Sequence, residues 1–161
     1  VDTVTITALP ETVARAQDHV RLILAQTAGI EHVYDGDPHA LDWSDYLGQF
    51  RRDDGLLTGW LVTTGWTETR QGTRQNHVRL VFGLQGFRAI DLAGGSREAW
   101  RATLARVFDA FRASTLSDSV DVVEPVRSRL AEGRLVEDRV LGDVLAHVSD
   151  LELVAHVWVT F

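Results

Sequence analysis

The sequence predicts an α+β fold in which two amphipathic helices pack on a mainly antiparallel β-sheet with a long β-hairpin. Three observations carry this. Gly59–Arg70 and Gln75–Ala89 alternate apolar and polar residues with a period of two and are joined at Gln71-Gly72-Thr73. After Gly94-Gly95-Ser96, the residues Trp100, Leu104, Val107, Phe108 and Phe111 recur at helical spacing from Arg97 to about Ala113, giving one apolar stripe that can lie on that hairpin. A second stripe, Leu9, Val13, Ala16, Val20, Ile23, Leu24 and Thr27, comes before it.

The chain has 161 residues, which is most economically a single domain, 1–161, with room for a hydrophobic core. Apolar residues make up 45% and charged residues 24%, ordinary values for a globular protein. The 23 acidic residues outnumber the 16 basic ones, and a net charge of −7 argues against a surface wrapped tightly on nucleic acid. It is compatible with a conduit through which DNA passes without adhering. Every basic residue is Arg. With no Cys, neither a disulfide framework nor a thiolate metal site is available. Val1–Pro10 lacks the basic segment and apolar core of a secretory signal, and no run approaches the length of a membrane-spanning helix, so a soluble protein made inside the cell and without membrane contact is expected.

Taken in order, Val1–Thr7 reads as a terminal arm or small edge strand. Pro10-Glu11 suits the first turn of a helix, where Pro loses no needed hydrogen bond and Glu faces the positive end of the dipole. Gly29 ends that helix. Ile30 to Asp35 alternates as a short strand stopped by Asp35-Gly36-Asp37-Pro38. His39 to Asp54 loses all periodicity but carries Leu41, Trp43, Tyr46, Leu47 and Phe50, so it is expected to pack on a neighbour within the chain or in another subunit. Val120–Val123 suggests a further strand, and Arg127–Asp138 reads as a charged loop. Val144–Phe161 is apolar on both faces, as a strand is when it lies inside a sheet or under an interface.

Little in the sequence advertises chemistry. Asp35, Asp37, His39, Asp42 and Asp45 lack the ordered spacing of a calcium loop and read as a solvated acidic turn. Gly94-Gly95-Ser96 matches neither phosphate-binding nor dinucleotide-binding Gly spacing, and Ser96 reads as a helix N-cap. The six His residues are scattered, and no Ser is framed as Gly-x-Ser-x-Gly; a triad could arise only through tertiary folding. No catalytic residue, metal or cofactor is therefore assigned. The five Trp residues carry more information. Trp100 and Trp158 fit core positions, whereas Trp60 and Trp66 share the hairpin with Arg70, Arg74 and Arg79, and Trp with Arg is the composition of protein–protein hot spots.

The order of these features is an N-terminal amphipathic helix, a short strand ending in Tyr34-Asp35-Gly36-Asp37-Pro38, and the Trp-containing strand Gly59-Trp60-Leu61-Val62. It continues with a return strand His77-Val78-Arg79-Leu80, a helix opened by Ser96 that contains Val107-Phe108-Asp109-Ala110-Phe111, and a closing β-run. This order resembles the tail terminator (tail completion) proteins of long-tailed bacteriophages and phage-like gene transfer agents, over nearly the whole chain. The resemblance implies a non-enzymatic virion protein, made in the bacterial host cytoplasm, that assembles as a homo-oligomeric, hexameric ring at the head–tail interface. The ring caps the tail tube protein, ends its polymerisation and offers a surface to the head–tail connector or stopper protein, while DNA passes through the lumen without specific binding. No cofactor is implied. On that reading Trp60, Trp66, Arg70, Arg74 and Phe82 of the hairpin, with Trp43 and Phe50 of the irregular stretch, are the expected subunit contacts. Asp53 and Asp54 are the expected acidic rim of the lumen. Trp60→Ala or Arg74→Glu is then expected to shift ring to monomer. The alternatives are another head–tail joining or neck protein, a tail tube subunit or, from a different class, a small apolar-ligand-binding α+β domain.

Overall fold

A computed structural model describes residues 8–35, 48–71, 75–113 and 120–160, with side chains described over 13–34, 48–64, 78–112 and 124–156. Among these residues seven strands form one sheet, with two helices on one of its faces. The expected α+β architecture, with a mainly antiparallel sheet, is the one found.

Helix α1 (Ala8–Gln26) buries Ala16, Val20 and Leu24 along its stripe. It stops at Gly29, whose φ of +90° is easily reached only without a side chain. Arg106 from the second helix donates to the carbonyl of Ala28 at 3.2 Å, placing a cation at the negative end of α1. Strand β1 (Val33–Asp35) runs parallel to β2 (Thr58–Gln71), which pairs antiparallel with β3 (Gln75–Ala89) in the predicted hairpin. The register slips between Trp66 and Glu68, a bulge in the outer half of the hairpin. Helix α2 (Ser96–Ala113) follows. Strands β4 (Val120–Val123), β5 (Arg127–Ser128), β6 (Glu137–Leu141) and β7 (Val144–Thr160) complete the sheet, in the order β1-β2-β3-β7-β4.

β7 organises the second half. One of its edges pairs with β3 from Ala146 to Thr160, while the other is tiled by β6, β5 and β4 in turn. A strand with neighbours on both sides and cover on both faces has to be apolar on both faces, as this one is. Arg127–Asp138, expected to be a loop, instead contains β5, a 3₁₀ turn at Ala131–Gly133 and the start of β6. The acids and Arg of Glu137-Asp138-Arg139 hid that strand because charge is tolerated, and protective, on a sheet edge. Gly142, at φ +64°, supplies the positive φ that the two-residue turn between Leu141 and Val144 demands.

The core lies between helices and sheet. Trp60, Val62, Val78, Leu80, Phe82, Leu84, Leu151, Leu153 and Ala155 project from the strands onto Val20, Leu24, Trp100, Leu104, Val107 and Phe111. Trp60 and Trp100 stack at its centre, with ring centroids 5.5 Å apart and planes inclined by 27°. A smaller cluster occupies the opposite face, where Phe50 and Leu57 cover Phe87, Ala146 and Val148. Each face uses the same device. Trp60 lies over Gly86, its own cross-strand partner, where an added Cβ would sit 2.7 Å from the indole. On the other face Phe50 lies over Gly59, where an added Cβ would sit 2.0 Å from the ring.

Candidate functional site

The expected subunit contacts divide sharply. Trp60 and Phe50 are 1% exposed and Phe82 is fully buried, all inside the subunit's own core. These three are corrected from interface to core residues: a side chain enclosed by its own chain has no surface left to offer another. The reason in each case is the pleat. Trp60 and Phe82 stand on the sheet face that receives the helices, and Phe50 is drawn onto the opposite face by the space above Gly59. Trp43 and Arg74, and the side chains of Trp66 and Arg70, lie outside the described residues.

Asp53 and Asp54 sit at the tip of a small hairpin held by the Arg51–Leu57 bridge, with Gly55 at φ +83°. Both are exposed. The Asp54 carboxylate accepts from the Leu56 amide at 3.1 Å and pairs with Arg52 at 3.3 Å; Arg52 in turn reaches Glu31 at 3.1 Å. With Glu31, His32 and Arg51 these residues line one cleft whose carboxylates outnumber its guanidinium groups by three to two. The position is therefore an acidic surface point, held in shape by its own turn.

The sequence did not reveal a line of polar groups beneath α2. The Ser96 hydroxyl lies 3.0 Å from His147 Nε2, and His147 Nδ1 lies 2.7 Å from Asp138 Oδ1. A carboxylate can only accept, so Nδ1 carries the proton; in the neutral ring Nε2 then accepts from Ser96. Ser96 was expected to cap the helix, yet its oxygen accepts the amide of Asp91 at 3.1 Å, and the first helical bond runs from Ala99 to the carbonyl of Gly95. Arg97 closes the line on Asp138 at 2.6 Å. Only tertiary folding could reveal it, since Ser96, Asp138 and His147 belong to α2, β6 and β7.

Order and spacing here are those of a hydrolytic triad, but the exposure runs the other way. In a nucleophilic site the hydroxyl faces substrate and the carboxylate is sheltered. Here Ser96 is 5% and His147 3% exposed, and the exposed end is Asp138, whose side chain is 37% accessible. The adjoining cleft is lined by Arg97 and Asp138 but not by Ser96 or His147. The arrangement does what a clamp does: it ties the start of α2 to β6 and β7 through satisfied buried polar groups. A second tie runs parallel to it, from Trp100 Nε1 to Ser149 Oγ at 2.9 Å and from Ser149 to the Leu135 carbonyl at 2.6 Å.

Among the described residues no group of three His, Asp or Glu side chains is placed to hold a metal ion, and no helix is long and apolar enough to cross a membrane. The acidic turn Asp37, His39, Asp42 and Asp45 and the side chain of Asp35 lie outside them. No protein-family model matches the chain, and no curated protein matches it.

Proposed function

We propose that this chain is a structural subunit of a phage-type tail, forming a ring that caps the tail tube, ends its polymerisation and joins it to the head connector. The observation that carries the reading is a sheet that is open among the described residues. Its two ends there are β1 on one side and the β4, β5 and β6 row on the other, each hydrogen-bonded to a described neighbour on one side only. Two different surfaces at opposite ends of one sheet suit head-to-tail addition of copies, which closes into a ring when the rotation per step allows it. The order of elements on which the resemblance to tail terminators rests is also the order in which the chain folds. The net charge of −7 suits a lumen that DNA traverses without binding.

Two facts weigh against the other classes. The space between helices and sheet, where an apolar ligand would sit, is filled by the Trp60–Trp100 stack and its neighbours. The Ser96 hydroxyl, which a hydrolase would need to present, faces inward. A ring that stops at one layer is the mark of a terminator, whereas a tube protein polymerises without limit. Negative-stain imaging of the purified chain, alone and mixed with tail tubes, tests this. Single rings, free or seated on tube ends, are expected; long tubes of this chain alone would assign it to the tube instead.

A further inference from the structure

We infer that the Asp53–Asp54 hairpin tip of one copy of this chain docks in the Arg101–Arg134 cleft of the next copy. The inference rests on the ring reading and deepens it by naming one contact between subunits. The cleft lies between α2 and the β5–β6 connection, has a volume of about 830 Å³ and is lined by Arg97, Arg101, Arg134, Leu135 and Asp138, among others. Its carboxylates are already engaged: Asp138 by Arg97 and His147, and Glu137 by Arg139 at 2.7 Å. Arg101 is exposed and has neither a hydrogen bond nor an ion pair from its side chain among the described residues. The Arg134 guanidinium pairs with Glu132 in an exposed contact, the kind that is worth little and is readily exchanged for another carboxylate. Aliphatic surface adjoins both groups. Leu135 is 44% exposed, and beyond Asp138 on the same face of β6 Val140 stands directly opposite Leu145, the two 67% and 47% exposed. Arg beside exposed aliphatic surface is the chemistry of an interface anchor.

A head-to-tail contact needs the matching acid on the other side of the sheet. The exposed carboxylates without an ion pair among the described residues are Asp53, Asp91, Glu98 and Asp143. Asp91 and Glu98 flank the start of α2 and Asp143 lies in the β6–β7 turn, so these three adjoin the elements that frame the cleft. Asp53 alone stands across from it. Beside it Asp54 and Glu31 share Arg52, and Leu56 is half-buried, so the tip offers acid next to aliphatic surface. The tip cannot turn into its own cleft. It is held by the Arg52 amide on the Leu56 carbonyl at 2.9 Å and by Phe50, buried over Gly59. β3 and β7 separate β2 from β6, three strand spacings or roughly 14 Å, far beyond the reach of an ion pair. Along the strands the two surfaces are level: Thr58, at the base of the tip, aligns through Arg88 and His147 with Asp138. A step across the sheet from one copy to the next therefore sets tip against cleft, and the same step repeats around a ring.

Charge reversal tests the contact. Asp53→Arg and Arg101→Asp each change an exposed side chain that holds no partner within its own subunit, and circular dichroism checks that the fold is kept. Each single variant is expected to lose self-association by at least roughly tenfold in apparent Kd, because like charges then face each other in every interface. Light scattering, alone and with tail tubes, reads this. Asp53→Arg/Arg101→Asp in one chain is expected to recover it, since the facing charges are again opposite. A second measurement uses the absence of Cys. In Asp53→Cys/Arg101→Cys a short bismaleimide linker should join copies into a covalent ladder, whereas Asp18→Cys/Arg101→Cys should give none. Single variants that assemble like wild type, a loss that the double variant does not recover, or a ladder no stronger than the control's would overturn the contact and leave the ring reading standing. Wild-type chain that stays monomeric at every concentration, with tail tubes and without, would overturn both.

Discussion

Residue by residue, the fold depends on aromatic rings seated over glycines. Trp60 was a plausible interface residue by composition; its position over Gly86 and against Trp100 makes it a core residue instead. Trp60→Ala is therefore expected to destabilise the subunit itself by about 3–5 kcal/mol, read as a shift in urea midpoint, rather than to split a ring of folded subunits. Gly86→Ala and Gly59→Ala should each cost about 1–3 kcal/mol, because the new methyl meets an enclosed ring that has nowhere to go. A loss within a few tenths of a kcal/mol in either glycine variant would show that the rings are not fixed there. The Ser96–His147–Asp138 line makes a separate prediction. Ser96→Ala leaves the Asp91 amide and the buried imidazole short of a partner and should cost about 1–3 kcal/mol. A fluorophosphonate probe should leave Ser96 unlabelled; stoichiometric labelling abolished by His147→Gln would make the clamp a nucleophilic site after all.

Elements were legible wherever one periodicity ran long enough to register. Both helices and the β2–β3 hairpin fall within a residue or two of where alternation and helical stripes place them, because one face of each is buried against the same core. β5 and β6 were not legible: short, charged edge strands owe their pairing to the long strand beside them, not to their own pattern. The site was legible in less measure. Composition singled out Trp60, Phe82 and Phe50 as large apolar groups but could not say which face of the pleat would be covered by the chain's own helices or by Phe50's turn. The clamp was invisible because its three residues come from three elements. At the junction of β4 and β7 the Glu124 carboxylate lies 3.1 Å from His156 Nε2, and its pKa is held below the usual 4.5, chiefly by that hydrogen bond; burial opposes it, and the charges of His156, Arg79 and Arg127 lower it further. A carboxyl with a lowered folded pKa adds stability that is present above its unfolded pKa and lost as pH falls through the folded one. Glu124→Gln should therefore flatten the acid limb of stability below about pH 4.5 while leaving the slope near neutrality unchanged; urea midpoints at a series of pH values measure it, and an unaltered acid limb would remove Glu124 from that account.

At the scale of the whole molecule, a sheet open at both ends among the described residues, an inward-facing hydroxyl and a core filled by stacked indoles support the proposal that the chain is a subunit of an assembly. The net charge is −7, and Asp53 and Asp54 are exposed at the tip of their hairpin. The central claim, that the chain works as a closed ring, is tested most directly by the mass of the purified protein from light scattering, measured alone and with tail tubes. The account predicts a discrete species near six times 17.9 kDa, or monomers that become rings on tube ends. A strict monomer that ignores tail tubes at every concentration would contradict it.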